Sequence, residues 1–354
     1  MFVINILNYF GIYFNDAILF KCLSLVLPFL TVVLGFKFFA LLIKRLNIGF
    51  QPIRDDGPAS HLNEKSNIMT LGGILIFLGI LFTALVIYEV LNPVLTGLVL
   101  IYIAHMLLGL YDDLMKLFKQ NSKGLRGRYK LFCQFAFALI IVYGLNHYYP
   151  HDFDSTIIIP ITEMGYDIGF YYFLFAAIVI VATSNAVNLT DGLDGLASFT
   201  IIPVLIFFVV ILNFTDNTYL FVFGDEYLEN LKSLENIILI VIGALLGFLW
   251  WNAYPAKIFM GDVGSLPLGA MIGYLAVVTK SELLLLILGA VFVLEAVSVI
   301  LQVYYYKFTK KRLFKMAPIH HHYEISGIKE NVVVSRFFIS SIVLSAISLT
   351  LVFG

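Results

Sequence analysis

Ile237-Ile238-Leu239-Ile240-Val241-Ile242-Gly243-Ala244-Leu245-Leu246-Gly247-Phe248-Leu249 is the stretch that decides the fold. It is apolar on every face, whereas a transmembrane β-strand would alternate apolar and polar positions over a shorter segment. Such a run is satisfied as a helix surrounded by lipid or by other apolar helices. The same character recurs along the 354 residues, of which 60% are hydrophobic and 13% charged. Soluble domains carry about 25% charged residues, so half the charge needed to coat a globule is missing and a soluble enzyme does not fit. The mean hydropathy of +0.94 agrees. A net charge of -1 also argues against a nucleic-acid partner, which requires a basic face.

Apolar runs bounded by charges or turn residues predict an all-α, polytopic integral membrane bundle of about ten transmembrane helices. They fall near 17–43, 70–91, 94–110, 131–149, 170–187, 199–214, 237–252, 265–279, 283–306 and 334–353. Eighteen of the 22 Lys and Arg residues lie in or beside the odd-numbered loops. The positive-inside rule then places those loops in the cytoplasm and both termini outside, in the periplasm. Residues Met1 to Phe14 lack a basic start and a small-residue cleavage site, so no secretory signal is expected. Nothing in the composition suggests a second unit, and residues 1–354 read as one transmembrane domain. Cys22 and Cys133 fall at opposite ends of their spans, about 30 Å apart in depth, and are expected to be free thiols.

The polar residues gather in the odd loops. In the third, Lys116 is spaced to reach Asp112 and Asp113 along a helix. Adjacent carboxylates at a membrane boundary repel, and Lys116 or a divalent cation would relieve them; an ordinary salt bridge at a helix end explains them equally. The fifth loop, Asn185 to Gly195, packs Asn188, Asp191, Gly192, Leu193 and Asp194 together, a set able to bond a nucleobase or sugar or to help hold a hard cation. In the seventh, Asn252 and Phe259 precede Asp262, which lies next to a helix N-terminus suited to phosphate.

The ninth loop carries Lys307, Lys310, Lys311, Arg312 and Lys315, then His320, His321 and His322. Three consecutive histidines cannot easily share one metal, and contacts to phosphate suit them better than zinc. The first loop adds Arg54, Asp55, Asp56, Gly57, Ser60, His61, Lys65, Thr70, Gly72 and Gly73. Within the membrane, His105 reads as structural. Glu295 and Gln302 share one face of the ninth span, directed into the bundle or toward a lipid channel.

These residues, taken in order, resemble the bacterial phospho-N-acetylmuramoyl-pentapeptide transferases. The blocks that match are Gln51 to His61, Asp112 to Lys116, Lys130 and Gln134, Asn185 to Ala197, Pro255 to Leu266, and Lys311 to Glu324. Met316-Ala317-Pro318-Ile319-His320-His321-His322 separates this family from relatives that use N-acetylhexosamine donors. The chain departs from the pattern at Asn67 to Leu71, at Val263 and at Ile328.

The resemblance implies a Mg2+-dependent transfer of phospho-N-acetylmuramoyl-pentapeptide from its UDP-linked donor to undecaprenyl phosphate, releasing UMP. It implies a multi-pass protein of the bacterial inner membrane, active as a homodimer, with its site on five cytoplasmic loops. Asp112, Asp113, Lys116, Asp262 and the three histidines would be catalytic. Asp262, with Asp112, Asp113 or Asp194, would hold the metal. Lys65, Thr70, Lys130, Asn188, Asp191 to Asp194, Asn252, Phe259 and Gln302 would bind substrates. Asp112 or Asp113 would serve as base for direct attack by the lipid phosphate, or one would act as a covalent nucleophile; direct attack is favoured because the acceptor phosphate is already nucleophilic. A sister enzyme transferring N-acetylglucosamine 1-phosphate, a transporter and a pure scaffold are the alternatives.

Overall fold

A computed structural model describes residues 16–46, 65, 68–87, 91–119, 124–149, 153, 155–160, 164–214 and 223–354. Arg54 to His61 of the first loop and Asn67 lie outside these residues. The helices are α1 (Asp16–Leu46), α2 (Gly72–Ile87), α3 (Pro93–Lys119), α4 (Gly127–Tyr148), α5 (Tyr171–Thr190), α6 (Leu196–Asn213), α7 (Asp225–Lys232) and α8 (Leu234–Asn252). There follow α9 (Asp262–Val278), α10 (Leu285–Leu288), α11 (Ala290–Thr309), α12 (Ile319–Ile325) and α13 (Glu330–Phe353).

Eight helical stretches among the described residues are long and apolar enough to cross a membrane, and α2 and α9 are shorter apolar helices. All ten fall where the apolar runs predict them, and the chain is a polytopic membrane protein. At 1.5 Å per residue, the 17 residues of α9 rise about 26 Å, close to the thickness of a hydrocarbon core.

The elements differ from expectation in four places. The third span does not stop near residue 110: α3 runs on to Lys119, so Asp112 and Asp113 project from a continuous helix. The fourth begins at Gly127, which brings Lys130 onto α4. The ninth is interrupted at Gly289, between α10 and α11. The fourth loop contains a two-stranded antiparallel ribbon, β1 (Thr156–Ile158) with β2 (Gly165–Asp167), the one sheet among the described residues. Apolar residues 157–159 offered too short a run to register as a strand.

Helix α9 is the axis of the bundle. Every residue from Val263 to Val278 is buried, and α2, α3, α5 and α6 pack around it. Glycines allow the approach. A Cβ on Gly269 would lie 2.6 Å from the Thr183 carbonyl oxygen, and one on Gly273 would lie 2.7 Å from Ile180 Cα. The pair Gly243 and Gly247 does the same for α8 against α1, where a Cβ would come within 2.1 Å of the Leu25 oxygen and 2.7 Å of the Phe29 oxygen. Both are four-residue spacings of small residues, the pattern that lets membrane helices pack backbone to backbone. Cys22 and Cys133 are free thiols, as expected.

Candidate active site

The site begins with backbone. Met69 and Ile258 form a parallel bridge. The Phe259 N–H donates to the Met69 oxygen at 2.7 Å, and the N–H groups of Gly72 and Gly73 donate to the oxygens of Phe259 and Met260, each at 2.9 Å. This short ladder fastens the start of α2 to the loop before α9. Gly73 permits it, since a Cβ there would sit 2.3 Å from the Gly264 nitrogen. The chain then enters α9 through Gly261, whose φ of 74° is a conformation that side chains disfavour.

This path delivers Asp262 to Asp112 and Asp113. The three carboxylates offer oxygens within 4.8 Å of one another. Lys116 reaches all three, with Nζ 2.7 Å from Asp112, 3.1 Å from Asp113 and 3.2 Å from Asp262. From α4, Lys130 Nζ lies 2.6 Å from Asp262 and 3.9 Å from Asp112. Asn188, at the end of α5, donates to Asp262 at 2.8 Å and to the Ser265 hydroxyl at 2.9 Å. The backbone N–H of Val263 donates to Asp113 at 3.0 Å, and that of Leu125 donates to Asp112. Four separate segments of the chain thus converge on three acids and two lysines.

Asp194, grouped with possible metal ligands in the sequence, stands apart from that cluster. One of its oxygens accepts from Lys65 at 2.7 Å and the other from the Ala256 N–H at 2.9 Å. Lys65 is also 2.6 Å from Glu330, which accepts the Asp194 N–H at 2.8 Å. Burial pulls the Lys65 ammonium down, but Asp194 and Glu330 together outweigh it and leave its pKa above the ordinary lysine value. The Lys65 ammonium lies 5.8 Å from the centre of the Phe259 ring. Between the two groups is Asp191. Burial, and then the charges of Asp262 and Asp113, push its acid up to about 7 against the pull of the Gly261 N–H.

Three further expected residues shape the backbone. Asn252 is buried and donates to the Ile258 oxygen at 2.8 Å, holding the turn before α9. Leu193 packs with Leu196, Val333 and Val334 beneath the fifth loop. Thr70 is buried, and its hydroxyl would lie 3.3 Å from a Cβ on Gly261. Gln302, on α11, accepts the N–H groups of Leu313 and Phe314 through its oxygen, at 3.1 and 2.9 Å.

The histidines take three different partners. His320 Nδ1 is 3.0 Å from Glu295, His321 Nδ1 is 3.2 Å from Glu324, and His322 Nδ1 accepts the Lys315 N–H at 3.1 Å. A Cβ on Gly192 would lie 2.3 Å from His320 Nε2, so only glycine fits between that ring and the fifth loop. His105 is fully buried and bonds its own helix through the Ile101 oxygen at 2.9 Å. Sequence reasoning missed Glu330 and Ser265. An acid in the first turn of a helix reads as a cap for the helix dipole, which concealed the first; a lone serine carries no signal.

The carboxylate cluster supplies hard oxygens of the kind that bind Mg2+ or Ca2+, three acids set against two lysines. Beside it lies the Lys65, Asp194 and Glu330 group with the Phe259 ring. Comparison with known proteins decides what this combination is. Residues 95–280 match the family model described as glycosyl transferase family 4. A phospho-N-acetylmuramoyl-pentapeptide-transferase of Pelagibacter ubique is 44% identical over 303 residues, covering 84% of this chain and 83% of the relative. The chain belongs to the phospho-N-acetylmuramoyl-pentapeptide-transferase family. The enzyme of that name from Buchnera aphidicola is 40% identical over 91% of this chain and 90% of its own length. That of Rickettsia prowazekii is 42% identical over 85% and 83%. Family membership makes this chain a membrane transferase of peptidoglycan synthesis, which excludes the transporter and scaffold alternatives.

Proposed function

We propose that the chain joins phospho-N-acetylmuramoyl-pentapeptide, taken from UDP-N-acetylmuramoyl-pentapeptide, to undecaprenyl phosphate, producing lipid I and UMP. The observation that carries this reading is the meeting of Asp112, Asp113, Asp262, Lys116 and Lys130 at one end of the bundle, next to the Lys65–Asp194–Phe259 group. An oxygen of the acceptor phosphate attacks the sugar-linked phosphorus of the donor. The bond from that phosphorus to the bridging oxygen breaks, and the oxygen leaves with UMP. Both reactants are anions, so the protein must neutralise and position them.

Lys116 and Lys130 are the cations closest to where the diphosphate would lie. Asp112, Asp113 and Asp262 would hold Mg2+, which when bound polarises phosphoryl oxygens and offsets their charge. Both oxygens of Asp113 already accept bonds, from Lys116 and from the Val263 N–H. This engagement favours direct attack over a covalent aspartyl intermediate. Phe259 and Lys65 offer a face and a cation to the uridine, with Asp191 and Asp194 as acceptors.

An apolar cavity of about 300 Å³ between α5 and α10–α11 suits the polyprenyl chain. Phe175, Val179, Leu286, Phe292 and Val297 are among its walls. The basic odd loops support a cytoplasmic site, with both termini outside. A reporter enzyme active only in the cytoplasm, fused to the C-terminus, should therefore be silent; activity would reverse the orientation.

The decisive assay is UMP release by the purified enzyme with each donor, with and without undecaprenyl phosphate and Mg2+. Release that needs the muramoyl-pentapeptide donor, the lipid and the metal is expected. Equal or faster release from UDP-N-acetylglucosamine would refute the donor assignment.

A further inference from the structure

Glu295 and His320 form a pair with no exposure to solvent, one partner on membrane-spanning α11 and the other on α12. An ionisable group at such a position is costly unless it is matched. Its match is specific: Glu295 Oε2 lies 3.0 Å from His320 Nδ1. A carboxylate can only accept, so Nδ1 carries the proton of that bond. The ring orientation is then fixed, and its other nitrogen is directed away from the membrane helix. His320 Nε2 has no hydrogen-bond partner among the described residues, and neither has Glu295 Oε1.

The free nitrogen is aimed at the fifth loop. It would be 2.3 Å from a Cβ on Gly192, the residue that follows Asp191. A buried acceptor without a partner is destabilising, and a ligand hydroxyl donating to it removes that cost. Gly192 lets the fifth loop lie directly against that nitrogen, where any side chain would push the ring away.

We propose that Glu295 is a positioning residue for the transfer reaction. It holds the His320 ring so that Nε2, left as an acceptor, faces the Gly192 turn, where it accepts a hydrogen bond from a hydroxyl of the sugar-nucleotide donor. This rests on the reaction assigned under Proposed function. Glu295 itself touches no substrate and acts only through the ring. The oxygen of a glutamine in its place would accept the same Nδ1–H bond, whereas alanine leaves the ring free to turn.

The test is a double-mutant cycle on the full-length enzyme in lipid nanodiscs, with Glu295→Gln, Glu295→Ala, His320→Ala and the Glu295→Ala/His320→Ala double variant. The readouts are kcat, the separate KM values for donor and lipid acceptor, and the thermal midpoint. Glu295→Ala and His320→Ala should each lower kcat/KM for the donor by about 100-fold, with the acceptor KM unchanged. The double variant should be no worse than His320→Ala alone, because one residue works through the other. Glu295→Gln should recover to within about tenfold of wild type. Multiplying losses in the double variant, a fully active Glu295→Ala enzyme, or a Glu295→Gln enzyme as poor as Glu295→Ala would each overturn the proposal. Wild-type enzyme that releases no UMP from the donor would instead overturn the assigned reaction.

Discussion

Replacing Lys116 by methionine should change metal affinity and turnover in opposite directions. The ammonium lies 2.7, 3.1 and 3.2 Å from the carboxylates of Asp112, Asp113 and Asp262. Only 13% of its side chain is exposed. Lys116 therefore occupies the space and satisfies the charge that a divalent cation would claim. Two unit charges 4 Å apart interact by about 1 kcal/mol at the dielectric of water and about 4 kcal/mol at an effective value of 20.

A divalent ion doubles these figures. Even the weaker limit makes removal of the lysine worth about 2 kcal/mol to metal binding, or roughly 30-fold in Kd. Turnover should fall by about 10²–10³-fold, because the same ammonium neutralises the diphosphate in the transition state. In chelator, Asp112 and Asp262 would keep only Lys130 and Asp113 would lose its lysine, so the variant should melt below wild type; Mg2+ should restore it. Calorimetric titration with Mg2+ or Mn2+, UMP release and thermal melting measure the three effects. An unchanged or weakened Kd, or undiminished turnover, would refute the placement of the lysine at the metal cluster.

Asp262→Asn should reduce turnover by about 10²–10³-fold with little change in melting; near-normal activity would remove Asp262 from the site. Asp191 has its acid raised to about 7 from an ordinary 3.8. Between those values the folded protein binds more protons than the unfolded one, so in chelator stability should decline as pH rises from about 4 to 7 and level off above. Asp191→Asn should flatten that slope in melting curves, and a variant with the wild-type slope would refute the assignment. Glu330→Ala removes one of two carboxylates on Lys65 and the acceptor of the Asp194 N–H. It should raise the donor KM about tenfold while kcat stays within about threefold, and an unaltered donor KM would show that the Lys65 group does not bind the donor.

Lipid-facing and buried helices are both written in unbroken apolar runs, which is why the ten spans were legible from residues such as Ile237 to Leu249. Their ends were less so. The polar residues after Gly109 put the end of the third span near 110, yet α3 continues to Lys119, with Asp112, Asp113 and Lys116 satisfying one another along it. The break at Gly289 was invisible because Leu285 and Phe292 on either side are equally apolar.

The site divided along the same line. Acids at a membrane boundary are expensive enough to stand out, so Asp112, Asp113 and Asp262 could be found one by one. Which acids meet is decided by the Met69–Ile258 bridge and by Gly261, and no spacing in the sequence encodes that. Asp194 illustrates the limit: its composition-level neighbours suggested a metal, while the fold gives it to Lys65. Glu330 lies 265 residues from Lys65, a distance that periodicity cannot bridge.

The contacts around α9 bear on how such an enzyme can change over time. Where two helix backbones touch at Gly269 and Gly273, and again at Gly243 and Gly247, even an added methyl would meet backbone atoms within 2.1 to 2.7 Å. Substitution there cannot be absorbed by a neighbouring side chain turning aside. Lipid-facing residues such as Leu34, Phe38 and Leu85, more than two-thirds exposed, are free to drift as the composition of the membrane changes. Adaptation to a warmer or thicker bilayer is therefore open at the periphery and closed along the axis. The chemistry of the active site is inherited together with four hydrogen atoms that no other residue can supply.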